Sequence, residues 1–262
     1  FSAEVFAAVP APRCKLLANF GVGYNHIDVA AAATAGIAVS NTPGAVTDAT
    51  ADTAMCLMLM TARRAGEGER LLRSGGWEGW HPTQLLGMHL GGKTVGIVGM
   101  GRIGQAIAKR CHFGFGMDVA YTSRSPKDLD FPATYIPELA ALAAAVDVLV
   151  IAVPGGTETH HLIDAAILGA MQPHAHLVNI ARGNVVQESA LITALQSGAI
   201  AGAGLDVYEF EPQVPEALIA MENVALLPHL GTAALEVRED MGMMSVDNLN
   251  AFFDGKDLPN AV

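Results

Sequence analysis

Apolar residues in this chain come in short continuous runs, and the segments between those runs repeat their apolar positions at helical spacing. The runs Lys15 to Asn19, Ile37 to Ser40, Thr94 to Val98, Asp118 to Thr122, Val146 to Val153, His176 to Ile180, Ala201 to Asp206 and Val224 to Leu227 have the length and apolar content of buried strands. Helical spacing covers Val29 to Ala35, Val46 to Arg64, the stretch after Gly101, Pro137 to Ala145, Ile163 to Met171, Glu188 to Ser197 and Ala233 to Phe253. Ser2 to Val9 reads as the end of a helix stopped by Pro10 and Pro12, and Asp28 is placed to cap the helix that Gly36 ends. Alternating strands and helices predict an α/β fold with a doubly wound parallel sheet and right-handed crossovers, the Rossmann arrangement. Val46 to Arg64, apolar nearly all round, is expected to be a long buried helix between two domains. Glu67 to Gly92 breaks the alternation with glycines, Trp77, Trp80 and Pro82, and reads as a loop-rich excursion whose tryptophans, on composition, pack locally.

The run at Thr94 to Val98 leads into Gly99, Gly101 and Gly104 at G-x-G-x-x-G spacing and then into a helix. Strand, tight turn and helix start form the context in which that spacing has a mechanism. A turn without Cβ atoms lets backbone N–H groups approach a pyrophosphate, and the helix N-terminus adds positive potential. In such sheets ligands bind beyond the carboxyl ends of the strands. The residues standing there are Thr122 to Ser125, Pro154 to Gly156, Ala181 to Gly183, Asp206, and Pro228 with His229.

Composition narrows the class. With 262 residues and 51% hydrophobic content the chain can bury one large or two modest domains. The net charge of -11 argues against nucleic acid or an anionic membrane surface as partner. No apolar run is long enough to span a bilayer, and no basic leader opens the chain. Cys14, Cys56 and Cys111, without any C-x-x-C, read as buried thiols of a reducing compartment, so a soluble cytoplasmic protein without a metal is expected. The opening FSAEVFAAV starts mid-helix, which suggests that an N-terminal portion is missing.

At the binding edge, Arg182 could grip a carboxylate with two parallel hydrogen bonds, or could be a surface ion pair. His229 could supply a proton near neutral pH, or could be structural. Glu211 could hydrogen-bond that imidazole and favour its charged form, with Glu209 and Glu222 as rivals.

With NFGVGYNHID, NTPG followed by a helical TADTA, GIVGMGRIG, NIARG, GLDVYEFEP and LLPHLG in that order, the chain resembles the D-isomer-specific 2-hydroxyacid dehydrogenases, particularly the glyoxylate and hydroxypyruvate reductase branch. The resemblance runs from Lys15 to the C-terminus. It implies reduction of a small 2-oxoacid to the D-2-hydroxy acid by hydride from NAD(P)H, with Arg182 binding the carboxylate and polarising the carbonyl. His229 would exchange the proton, Glu211 would tune His229, and Val22 and Gly23 would offer backbone N–H groups to the same carboxylate. Asp206 would hold the nicotinamide carboxamide, and Arg102 and Ile103 the pyrophosphate beside Gly99, Gly101 and Gly104. Thr53, Val153, Pro154, Thr159, Ile180, His229 and Gly231 would complete the cofactor site.

The resemblance also implies a smaller flavodoxin-like substrate domain made from residues 1–45 and 235–262, with the dinucleotide-binding domain at 46–234 between them. The chain start would then be one or two βα units short. It implies a homodimer in which the loop Trp77 to His81 crosses the interface, opposite to the local packing that composition favours.

An NAD-preferring site places an acidic residue near Thr122 for the ribose 2′-OH. None is there: Asp118 is at the wrong end of its strand, while Ser123, Arg124 and Ser125 suit a 2′-phosphate, which predicts NADPH over NADH. The alternative is that Arg124 stacks on the adenine. Other readings of the whole chain are a dinucleotide-sensing corepressor on this fold and a reductase of aromatic 2-oxoacids or 2-ketogluconate. Formate dehydrogenases would pair the histidine with glutamine, phosphoglycerate dehydrogenases would extend into a regulatory domain, and D-lactate enzymes would carry an acid near Thr122 and an aromatic near Gly231.

Overall fold

The computed structural model describes residues 1–9 and 11–262, so the proposed stop at Pro10 lies outside the described residues. In chain order the elements are α1 (Ala3–Ala7), β1 (Leu16–Ala18), α2 (Val29–Thr34), β2 (Ala38–Ser40), α3 (Thr47–Ala62), α4 (Ala65–Arg73), β3 (Thr94–Val98), α5 (Arg102–Lys109), β4 (Asp118–Thr122) and β5 (Thr134–Tyr135). They continue with α6 (Leu139–Ala145), β6 (Val148–Ile151), α7 (Ala165–Ala170), β7 (His176–Asn179), α8 (Glu188–Ser197), β8 (Gly202–Leu205), α9 (Glu216–Ile219), β9 (Val224–Leu226) and α10 (Leu235–Phe253). They fall into two compact units, one made of Phe1–Ala49 with Thr232–Val262 and the other of Thr50–Gly231.

The larger unit is built on a seven-stranded sheet of order β5-β4-β3-β6-β7-β8-β9, parallel throughout. Successive side chains of a strand point to opposite faces, and both faces here are covered. Leu149 and Ile151 of β6 join Leu142, Leu168, Leu191 and Leu195 from α6, α7 and α8 in one apolar layer. Val148 and Val150 of the same strand join Leu57, Met58, Ile107 and Cys111 in the other. Helices on both faces make the sheet doubly wound, and the βα alternation read from the sequence has this cause. Each fully buried Leu or Ile in these layers contributes about 1.5–3 kcal/mol.

In the smaller unit β1 and β2 pair in parallel, Leu17 opposite Val39, over a small core of Phe6, Ile27, Ala32, Ile37 and Val39. Asp28 caps α2 by accepting from Ala31 N at 2.9 Å. β1 is only half-buried, where the sequence pattern predicts a fully buried strand.

Four further expectations need correction. The excursion from Glu67 to Gly92 begins inside a helix, α4, which forms despite Gly66 and Gly68 because Arg64 pairs with Glu67 and Arg73 with Glu69 at helical spacing. Cys14 and Cys56 are exposed and only Cys111 is a buried thiol, because Cys14 precedes β1 in a loop and Cys56 lies on the solvent side of α3. That same solvent side, with Asp52, keeps α3 from being buried all round. Trp77 and Trp80 do not pack locally: they are 53% and 80% exposed. Among the described residues no helix is long and apolar enough to cross a membrane.

Candidate active site

β3 ends at the glycine turn. Gly99 has φ +100°, and a Cβ on Gly104 would meet Gly99 O at 2.1 Å, so only glycine lets α5 rest this closely on the turn. Gly101 is the N-cap of α5, where no side chain caps the helix and where the space around a Cβ is open. The first N–H groups of α5 therefore face an open position, as a phosphate-bearing group requires. Arg102 is exposed in that first turn and Ile103 is half-buried.

At the end of β4 the turn after Thr122 is braced from several sides. Ser123 Oγ donates to Ser125 O at 2.7 Å, Tyr135 Oη donates to Ser123 O at 3.1 Å, and Thr122 Oγ1 donates to Pro137 O at 3.1 Å. Arg124 is exposed on this turn. Asp118 occupies the first position of β4, the end remote from the turn. Beyond β6, Thr159 Oγ1 donates to Pro154 O at 2.7 Å and closes that loop next to the half-buried Val153. Ile180 is buried directly after β7, and Thr53 lies half-buried on α3.

The loops after β7, β8 and β9 bring Arg182, Glu211 and His229 together. Asn179, which is 1% exposed, shapes the first loop: its Oδ1 accepts from Ala181 N at 3.0 Å and its Nδ2 donates to Arg182 O at 3.1 Å. Gly183 lets this loop touch the next, since a Cβ there would lie 1.8 Å from the carbonyl carbon of Tyr208. Burial disfavours the charged form of Arg182 and lowers its pKa, while the Glu211 carboxylate acts in the opposite sense.

Glu211 Oε1 accepts from Tyr208 N at 3.1 Å and its Oε2 lies 2.9 Å from His229 Nδ1. An ionised carboxylate only accepts, so Nδ1 carries the proton and Nε2 is left as the exchanging nitrogen. The rival carboxylates are engaged elsewhere: Glu209 with His161 at 2.6 Å, and Glu222 with Arg70. His229 has φ 57°, a left-handed conformation uncommon outside glycine. Its backbone is held there by Asp206, whose carbonyl accepts from His229 N at 2.9 Å. The Asp206 carboxylate also accepts from Leu230 N at 2.6 Å and Gly231 N at 2.8 Å. Burial raises the pKa of Asp206, with those two donors and the nearby His229 opposing the rise.

Val22 and Gly23 belong to the smaller unit, in the loop after β1. The carbonyl of Val22 accepts from Asn41 Nδ2 at 2.9 Å and that of Gly23 from Asn19 Nδ2 at 3.2 Å. The Val22 and Gly23 N–H groups have no partner among the described residues.

Sequence reasoning passed over Asn179 and Tyr208. The N-x-A-R-G pattern contained the Asn179 signal, an amide two residues before the N–H it bonds. Tyr208 Oη donates to Leu227 O at 2.8 Å, a pairing between loops far apart in sequence that no local pattern announces.

The family model for the D-isomer specific 2-hydroxyacid dehydrogenase NAD binding domain matches residues 55–231. A glyoxylate reductase of Thermococcus onnurineus is 47% identical over 267 aligned residues, covering 99% of this chain and 79% of that protein. Among solved structures, an NADPH-dependent glyoxylate/hydroxypyruvate reductase from Sinorhizobium meliloti, in complex with NADP and malonate, is 47% identical with a TM-score of 0.89, covering 95% of this chain and 78% of that one. A glyoxylate reductase from a Paecilomyces species superposes with a TM-score of 0.91 at 38% identity, over 99% of this chain and 78% of that one. The matched segment contains the glycine turn and the Arg182, Glu211 and His229 group, and on that footing the chain belongs to the D-isomer-specific 2-hydroxyacid dehydrogenase family.

Proposed function

We propose that this protein reduces a small 2-oxoacid of the glyoxylate or hydroxypyruvate kind to the D-2-hydroxy acid, with NADPH preferred over NADH. The observation that carries the reading is the convergence of Arg182, Glu211 and His229 on one group of loops at the carboxyl edge of the sheet that also holds the glycine turn. A bound nicotinamide dinucleotide supplies the hydride. Arg182 pairs with the substrate carboxylate and polarises the neighbouring carbonyl. His229 gives its Nε2 proton to the carbonyl oxygen as the alcohol forms, and Glu211 holds the ring in the tautomer and orientation that make this possible. Asp206 fixes the backbone turn on which His229 stands. The braced Ser123 to Ser125 turn supports a role for the exposed Arg124 at the ribose of a bound dinucleotide, where a guanidinium would suit a 2′-phosphate. The S. meliloti relative described as NADPH-dependent supports that preference. We also infer a homodimer, which the exposure of Trp77 and Trp80 supports.

The test is a panel of glyoxylate, hydroxypyruvate, an aromatic 2-oxoacid and 2-ketogluconate, assayed with NADPH and NADH. Highest kcat/KM on the two small acids with NADPH is expected. Arg124→Ala is expected to raise the KM for NADPH about tenfold, or about 1.4 kcal/mol, and to leave that for NADH unchanged. Turnover confined to the bulky acids would overturn the substrate assignment, and equal losses with both dinucleotides would overturn the role of Arg124.

A further inference from the structure

A second group of chemically able side chains lies in the larger unit, apart from Arg182, Glu211 and His229. His160, His161 and Glu209 each bring a ligand atom within 4.8 Å of the others. His161 has φ 52°, and this bend sets two consecutive imidazoles side by side, ring centroids 3.9 Å apart, where an extended backbone would send them to opposite faces. The bend is anchored by His161 N donating to Asn184 O at 2.8 Å. His161 Nε2 lies 2.6 Å from Glu209 Oε1. The other oxygen of Glu209 accepts from Glu188 N at 3.2 Å, and Glu188 Oε2 accepts from Glu209 N at 3.3 Å, so two carboxylates stand close together. Neither has a lysine or arginine ion partner among the described residues. A divalent cation would supply the missing positive charge.

We propose that His160, His161 and Glu209 form a binding site for a borderline divalent metal ion, with zinc, cobalt and nickel as the ions that suit two imidazole nitrogens and one carboxylate oxygen. Metal–ligand bonds of about 2.0–2.1 Å place tetrahedral donors about 3.4 Å apart. His160 must therefore close in by up to about 1.4 Å from the widest spacing the cluster allows, while His161 Nε2 and Glu209 Oε1, 2.6 Å apart, must open by about 0.8 Å to admit the ion between them. Rotation of His160 can provide that closure: its side chain is exposed and its ring makes no hydrogen bond among the described residues. His161 and Glu209 are already mutually oriented, with side chains 31% and 12% exposed. Nε2 of His161 must give up its proton for the ion to take its place, with Nδ1 carrying the proton of the neutral ring, and water completes the coordination. The ion would tie the loop from Pro154 to His161 to the loop from Tyr208 to Glu211.

The experiment is titration of the tag-free full chain with cobalt(II), followed by visible absorption, and with zinc(II), followed by calorimetry. Both use a Cys14→Ser, Cys56→Ser background, because those exposed thiols would otherwise bind the same ions. One ion per chain with micromolar affinity is expected, weakened at least about tenfold by His160→Ala and by Glu209→Gln. The exposed position of His160 makes its variant a safe one for folding, and circular dichroism checks both. Absence of saturable binding overturns the proposal, as does binding that both variants leave intact.

Discussion

His229 and His176 stand at opposite ends of the strands of the same parallel sheet, one three residues beyond the carboxyl end of β9, the other opening β7. His229 has a side chain 49% exposed, a carboxylate 2.9 Å from Nδ1 and a left-handed backbone. His176 is 7% exposed, shares a 2.8 Å hydrogen bond with the neutral hydroxyl of Thr61, and has its pKa pushed down to about 4 by burial, with the nearby His174 adding to it. The ring of His229 is reached by water and by a carboxylate. An imidazole among apolar side chains resists protonation, because the charged form would be desolvated without a counter-charge. The carboxyl edge therefore holds a ring open to solvent and to a ligand, and the amino edge holds one that fills and satisfies a buried position.

The hardest way to break this contrast is to remove the two rings in turn. His229→Ala should lower kcat by about 10²–10⁴ through loss of the proton donor, with the unfolding midpoint hardly moved. His176→Gln should do the reverse. Steady-state kinetics and thermal unfolding on both variants check it; a kcat loss of similar size in both would mean that the edges do not divide chemistry from stability.

The next effect is on pH. Because the folded pKa of His176 lies near 4 and the ordinary imidazole value is 6.5, the unfolded chain binds the proton first as the solution is acidified. Stability is then complete above about pH 6.5 and falls as pH drops from there through 4, by about 3 kcal/mol in all. Denaturant unfolding across that window should show the decline in the wild type, and His176→Gln should flatten it by about that amount. An unchanged slope in the variant would assign the acid sensitivity to other groups.

A smaller effect concerns the partner of His229. Glu211→Gln can keep the bond to Tyr208 N while removing the charge beside His229 and Arg182. We expect kcat to fall about tenfold, close to 1.4 kcal/mol, with circular dichroism unaltered. Activity equal to the wild type would reduce Glu211 to a loop-packing residue.

How much of this was readable beforehand follows the same division. The strands of the large sheet could be read because burial on both faces forces continuous apolar runs such as Val148 to Ile151, and the glycine turn could be read because backbone approach leaves no alternative residue at Gly104. Arg182 and His229 could be singled out because each stands shortly past a strand end with a polar identity the core would not tolerate, whereas Glu211 was one of three candidate carboxylates until the family resemblance chose it. Contacts between distant loops were not visible. That Glu209 faces His161 while Glu211 faces His229 depends on how two loops cross, and carboxylates two residues apart look equivalent in a one-dimensional pattern. The helix α4 was hidden by its glycines, since the ion pairs that stabilise it count for less in a hydrophobic pattern than in three dimensions. Exposure of Cys14 and Cys56 was misjudged because cysteine is usually buried, a tendency that says nothing about one side of one helix.

Tyr208 sharpens the contrast because it is a buried, structural residue on the carboxyl edge. It is 8% exposed, burial pushes its hydroxyl up to about 12 so that it stays protonated, and it donates to Leu227 O at 2.8 Å, two residues before His229. Tyr208→Phe removes the donor and leaves a carbonyl unsatisfied, at a cost of about 1 kcal/mol. If the edges differ only in side-chain chemistry, that loss should appear as a lower unfolding midpoint with kcat preserved. The hydroxyl also fixes the approach of the chain to the left-handed His229, however, so we expect a fall in kcat of about twofold to fivefold beside the stability loss, with the KM for the 2-oxoacid unchanged. Comparing kcat, KM and midpoint in this one variant separates the two accounts: a stability loss alone would leave the position of His229 to Asp206 and Glu211, whereas the combined loss would make the buried tyrosine part of how the carboxyl edge holds its proposed acid.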